Sequence, residues 1–147
     1  MRARSRARKL ALQALYQDSF NPTSAQQLID QFYQQHQQVT GQQRAEVDWE
    51  LFGDLVRGSM AASEASDAAI APHLSRQLAE LDPIERQLLR MAVYELGHHA
   101  ESPTLSVIDD SIHLAKSFGA TDSFKLINAV LDALVRTMPL RAADLPA

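Results

Sequence analysis

Five cations open the chain: Arg2, Arg4, Arg6, Arg8 and Lys9 place five positive charges and no acid within the first nine residues. Guanidinium and ammonium groups at this density hold phosphate oxygens, so polyanion binding is the first chemistry they offer, with RNA or DNA phosphate the preferred ligand. A solubilising terminus without a partner, or an acidic protein partner, would also account for the charge. Alternate spacing spreads the arginines around a helix instead of along one stripe, which suits a frayed arm or a helix start that wraps a flexible strand. A second candidate lies at residues 119–125, where Gly119, Thr121, Asp122, Ser123 and Lys125 open a predicted helix. Its free N–H groups and Lys125 suit a phosphate, although Asp122 is more simply an N-cap whose charge complements the helix dipole. Metal and catalytic chemistry is poorly supplied. His98, His99 and Glu101 lie together, but adjacent histidines on a helix point about 100° apart, and the HExxH spacing of a zinc helix is missing. Asp109 and Asp110 diverge in the same way, and no serine or threonine sits in a nucleophile motif. No metal, no cofactor and no enzymatic activity are expected.

The formal net charge of −4 comes from 14 basic and 18 acidic residues. Without the five cations of the arm, nine basic residues face 18 acids, a body near −9. Such a body repels nucleic acid except where a face is locally depleted of acids. At 147 residues with 46% hydrophobic and 22% charged side chains, the chain has the size and composition of one soluble domain. Zero cysteines exclude disulfides and thiolate metal sites, and five glycines are too few and too scattered for a phosphate-cradling loop. No apolar run approaches the ~18 residues of a membrane span. The basic start is not followed by the uninterrupted apolar stretch of a signal peptide, because Gln13 breaks it. A cytoplasmic location is expected.

The elements that must position these residues read as helices, with no strand alternation. Turn residues fall at Asn21, Pro22, Gly41, Pro72, Asp82, Pro83, Ser102, Pro103, Gly119 and Pro139. The spacing between them predicts helices over about 4–17, 25–38 (with Ser24 and Gln27 as a capping box), 45–71, 83–98, 104–118 and from 121 or 122 to 137. The fold class is therefore all-α: two three-helix groups, 1–72 and 73–138, packed as one domain, with a tail over 139–147 that frays. Asp82, Pro83 and Glu85 give the fourth helix an N-cap, a first-position proline and a capping-box acid. On its wheel Glu95 falls among Ile84, Leu88 and Met91, so this carboxylate needs a donor from another segment, the first helix foremost. Leu105, Ile112 and Phe118 fall on the apolar side of the fifth helix, and Phe124 faces inward on the sixth.

Three blocks then carry a family resemblance: RARKLALQALYQ at 6–17, PIERQLLRMAVYEL at 83–96, and LAKSFGATDSFK with NAVLD at 114–125 and 128–132. In order and spacing they resemble the NusB family of bacterial transcription antitermination factors over nearly the whole chain. The resemblance implies a protein that binds the boxA element of ribosomal RNA leader transcripts together with NusE, a small-subunit ribosomal protein. It further implies delivery of that RNA to elongating RNA polymerase, processive transcription and ribosomal RNA maturation, and leaves a homodimer of the free protein open. Carried over by position, the basic arm (Arg2, Arg4, Arg6, Arg8, Lys9), Tyr16, Asp122, Ser123 and Lys125 match RNA-binding regions, while Arg76, Glu80, Glu85 and Arg90 match the region facing NusE. The chain departs from the family pattern at Thr104, Leu105, Ser106, Asp109, Asp110, Phe124 and Ala129, and at Leu126, where the family often has an aromatic. Two alternatives remain: a protein-binding scaffold without RNA affinity, for which five clustered cations have no purpose, and the targeting module of a ribosomal RNA cytosine methyltransferase, which would call for a cofactor domain as well.

Overall fold

The computed structural model describes residues 1–39 and 44–146; the turn expected at Gly41 lies outside them. Among the described residues there are seven α-helices and no strand: α1 Ala3–Phe20, α2 Ala25–Gln37, α3 Trp49–Ala61, α4 Ser63–Ile70, α5 Pro83–His98, α6 Thr104–Phe118 and α7 Ser123–Val135. They fall into two units, Met1–Ala61 and Ala62–Ala147, so the groups contain three and four helices and divide at Ala61, not at Pro72. The expected single helix over 45–71 is two, broken at Ala62, whose φ of −97° and ψ of 12° leave the helical region. No proline or glycine marks that break.

In the first unit, Ala7, Ala11 and Ala14 are fully buried beside Leu12 and Leu15. Without longer side chains there, α1 can pack closely on α3, which buries Leu51, Phe52, Leu55 and Val56. Each buried leucine contributes about 2 kcal/mol of transfer free energy. α2 starts at the expected capping box, with Ser24 Oγ accepting from Gln27 N at 3.1 Å. Trp49 lies 5.3 Å from Phe52 and 5.0 Å from Tyr33, both edge to face.

α5 is the centre of the second unit, touching α4, α6 and α7 and burying Leu88, Leu89, Met91, Ala92 and Leu96. Its start is as predicted: Glu85 N donates to Asp82 Oδ1 at 2.8 Å and Asp82 N to Glu85 Oε1 at 3.2 Å. Glu95 is 1% exposed; one donor to it is Ser102 Oγ, at 2.7 Å, from the connection to α6. α6 differs from its wheel. Leu105 is 73% exposed and Phe118 38%, because the buried stripe is the narrower one of Val107, Ser111, Leu114 and Ala115.

The tail expected to fray is tied down at Arg141 and Asp144. Arg141, 7% exposed, donates to the carbonyls of Leu96 (2.9 Å), His99 (2.6 Å) and Ser102, and to Thr104 Oγ1. These acceptors lie at the C-terminal end of α5 and the loop beyond it, where helix carbonyls lack partners and the helix dipole favours a cation. Asp144 serves the opposite end of the next helix. Pro103, the residue at the N-cap of α6, has no side-chain acceptor, and Asp144 supplies one by accepting from both Thr104 N (3.0 Å) and Thr104 Oγ1. Those two hydrogen bonds hold the Asp144 carboxyl below its ordinary range, so this cap is complete at neutral pH and is lost as acid protonates it.

Gly119, at the end of α6, has no space for a side chain. Its φ of −88° is open to any residue, but a Cβ there would stand 2.7 Å from Ala115 O and 2.8 Å from Ser123 Cβ. Gly119→Ala must displace both the last turn of α6 and the start of α7 and should destabilise by about 1 to 3 kcal/mol in urea unfolding; an unchanged midpoint would show that the junction has room.

Candidate nucleic-acid interface

The basic arm is helical from Ala3 onward, and its arginines have separate fates. Arg4 Nη1 lies 3.6 Å from Asp48 Oδ2, which cancels part of its charge. Arg6 Nη1 donates to the neutral carbonyl of Glu46 at 2.8 Å, which orients the guanidinium and leaves its charge intact. Arg8 is 4% exposed and is not available on the surface. Arg2 is exposed and Lys9 half-buried.

With α1 continuous, positions about 100° apart per residue bring Arg6, Lys9, Gln13, Tyr16 and Phe20 within an arc of about 80°. The sole acid of α1, Asp18, points away from that arc and accepts from Thr23 N at 2.9 Å. Tyr16 is 38% and Phe20 64% exposed; their rings meet edge to face at 4.9 Å. One face thus runs from cations at its N-terminal end to aromatic rings at its C-terminal end. Phe20 was not singled out from the sequence, although its i+4 spacing from Tyr16 on a continuous helix was a usable signal.

In the second unit the N-terminal ends of α5 and α7 converge. Ser123, 2% exposed, donates through Oγ to Glu85 Oε2 at 2.7 Å, and Arg76 Nη2 lies 3.5 Å from Glu85 Oε1. Glu85 is therefore occupied at once by its capping box, by Ser123 and by Arg76. Around this node lies a cleft of about 310 Å³ whose walls include Arg76, Glu80, Glu85, Asp122, Ser123 and Leu126. Residues selected as RNA-facing and as partner-facing thus share one depression. Arg90 stands apart from it, fixed to α4 by Nε to Asp67 Oδ1 and Nη2 to Asp67 Oδ2, both 2.7 Å.

Two expectations at α7 are corrected. Asp122 occupies the N-cap position but its side chain makes no capping hydrogen bond; it pairs instead with Lys125 Nζ at 3.4 Å. Phe124 does not face inward. It is half-buried, with Lys116 Nζ 4.8 Å and Lys125 Nζ 6.0 Å from the ring centroid, because Ile127, Val130 and Leu131 already fill the buried stripe of α7. The Lys116 ammonium beside an accessible ring supplies both phosphate attraction and a stacking surface, while Lys125 shares its charge with Asp122.

Among the described residues no group of three His, Cys, Asp or Glu side chains is placed to hold a metal, and no helix is long and apolar enough to cross a membrane. The fold and these surfaces define an all-helical binding protein.

The chain belongs to the NusB family, whose profile matches residues 5–136. The transcription antitermination protein NusB of Pseudoalteromonas atlantica is 41% identical over 138 residues, covering 92% of this chain and 93% of its own. That of Idiomarina loihiensis is 41% identical over 135 residues with the same coverage, 92% and 93%. Among solved structures, NusB in a crystal structure of the antitermination factors NusB and NusE in complex with dsRNA aligns with a TM-score of 0.78 and 25% identity, over 94% of this chain and 99% of that one. T. maritima NusB aligns with a TM-score of 0.77, also at 25% identity, over 90% of each chain.

Proposed function

We propose that this protein is a cytoplasmic, non-enzymatic transcription antitermination factor that binds the boxA RNA of ribosomal RNA leader transcripts together with NusE. Through that RNA it acts on elongating RNA polymerase, promoting processive transcription and ribosomal RNA maturation. The observation that carries the RNA-binding part is the α1 face, where Arg6 and Lys9 share an arc with Tyr16 and no acid. Family membership supports the remainder. Lys116, Phe124 and Lys125 offer a second surface of the same chemistry. Arg76, Glu80 and Glu85, at the cleft beside α5, are assigned to NusE. Arg90, carried over with them by position, is held away from that cleft by its ion pair with Asp67 on α4.

The test is a titration of labelled single-stranded boxA RNA, with and without NusE and against a scrambled RNA, at several salt concentrations. If about four phosphates are neutralised, log K should fall with log salt at a slope of roughly −3, about a 50-fold loss between 50 and 200 mM. Deleting residues 2–8 would remove the first turns of α1 and the buried Arg8, so substitution is the cleaner variant. Arg2→Gln, Arg6→Gln and Lys9→Gln together should bring the slope to about −1. An unchanged slope sinks the arm as the phosphate site, and no RNA affinity with or without NusE would leave the scaffold alternative standing.

A further inference from the structure

Phe20 is a large aromatic side chain left 64% exposed on the last turn of α1, in the same arc as Arg6 and Lys9 and in edge-to-face contact with Tyr16 at 4.9 Å. In that geometry the contact takes up at most one face of either ring, so a flat partner can still lie on the open face of Phe20. The electrostatics of α1 also change along its length. At the N-terminal end the helix dipole adds to the side-chain cations and favours phosphate. At the C-terminal end the last turn carries no basic residue, and the terminal carbonyls make the surface partly negative. A phosphate is disfavoured there, whereas an uncharged, flat ring is accepted.

On the basis of the RNA-binding function above, we infer that Phe20 is a base-stacking residue: α1 grips a single strand lengthwise, holding phosphates at Arg2, Arg6 and Lys9 and stacking bases on Tyr16 and then Phe20. From position 6 to position 20 the helix rises about 21 Å, enough for several nucleotides to lie along the face. The ligand is a single-stranded nucleic acid, since the bases of a duplex are already stacked on one another.

Stacking and charge predict different salt behaviour, and the experiment uses that difference. Binding of labelled single-stranded boxA RNA to the full-length chain is measured over a salt series, with and without NusE, for the unsubstituted protein, Phe20→Ala, Phe20→Tyr and Lys9→Gln. Phe20→Ala should weaken RNA binding by roughly tenfold with an unchanged salt slope, and Phe20→Tyr should restore it. Lys9→Gln should flatten the slope by about 0.7. Phe20 lies on the surface, so an unchanged melting temperature for Phe20→Ala confirms that the loss is one of binding. If the unsubstituted protein binds RNA and Phe20→Ala binds equally well, the inference is overturned while RNA binding stands. It is equally overturned if Phe20→Tyr fails to restore affinity, or if the loss occurs only in the presence of NusE, which would make Phe20 a protein contact. If the unsubstituted protein binds no RNA, the functional proposal itself fails and the inference with it.

Discussion

Arg141→Ala is expected to lower the melting temperature by roughly 10 °C, the equivalent of about 3 to 5 kcal/mol. The guanidinium is 7% exposed and donates to three backbone carbonyls, those of Leu96, His99 and Ser102, and to the Thr104 hydroxyl. Charge-assisted hydrogen bonds of this kind contribute about 1.5 to 3 kcal/mol each, and a carbonyl that loses its donor while buried adds its own desolvation cost. Arg141→Lys separates charge from geometry. An ammonium keeps the favourable interaction with the end of α5 but cannot span all four acceptors with a planar fork, so its melting temperature should fall between those of the parent and the alanine variant. A drop of less than 2 °C for Arg141→Ala would show that the tail is dispensable to the second unit.

Glu95→Ala should cost a similar amount, about 3 to 5 kcal/mol. The carboxylate is 1% exposed and accepts from Ser102 Oγ at 2.7 Å. Its removal leaves a cavity on the central helix and a buried hydroxyl deprived of this acceptor. Asp109→Ala, on the exposed face of α6, is the control and should change stability by no more than about 0.5 kcal/mol. Glu95→Gln fills the same volume and keeps an acceptor oxygen, so it should recover part of the loss. Equal melting temperatures for the Glu95→Ala and Asp109→Ala variants would remove Glu95 as a structural determinant.

The helices were legible wherever the start signal was local. Asp82 with Glu85, and Ser24 with Gln27, each set a helix start through contacts three residues apart, and both starts are where the spacing puts them. The break at Ala62 is not legible in the sequence, since no proline or glycine marks it and Ala62 makes no side-chain cap. The order of the tail is hidden from the sequence for a related reason. Arg141 and Asp144 have no periodicity of their own, and their partners lie 37 to 45 positions earlier in the chain. At the surface, counting charges found the arm, but only the continuous helix separates Arg6, which keeps its charge, from Arg4, which shares it with Asp48, and from Arg8, which is buried. A wheel places Phe124 inward because its angles treat every apolar residue alike, and a helix whose core stripe is already filled leaves the remaining aromatic half-buried at the edge.

The carboxylate that caps α6 also has a consequence for the order of events at the ribosome. Asp144 is added 40 residues after Thr104, whose amide it satisfies, which at about 5 to 20 residues per second is a delay of roughly 2 to 8 seconds. Through that interval α6 lacks the Asp144 cap on its first turn and the end of α5 lacks the Arg141 guanidinium, so these contacts at the junction of the two helices come last, long after α1 to α3 have been synthesised. Synthesis therefore delivers the first unit, with its cationic and aromatic face, before the second unit can close.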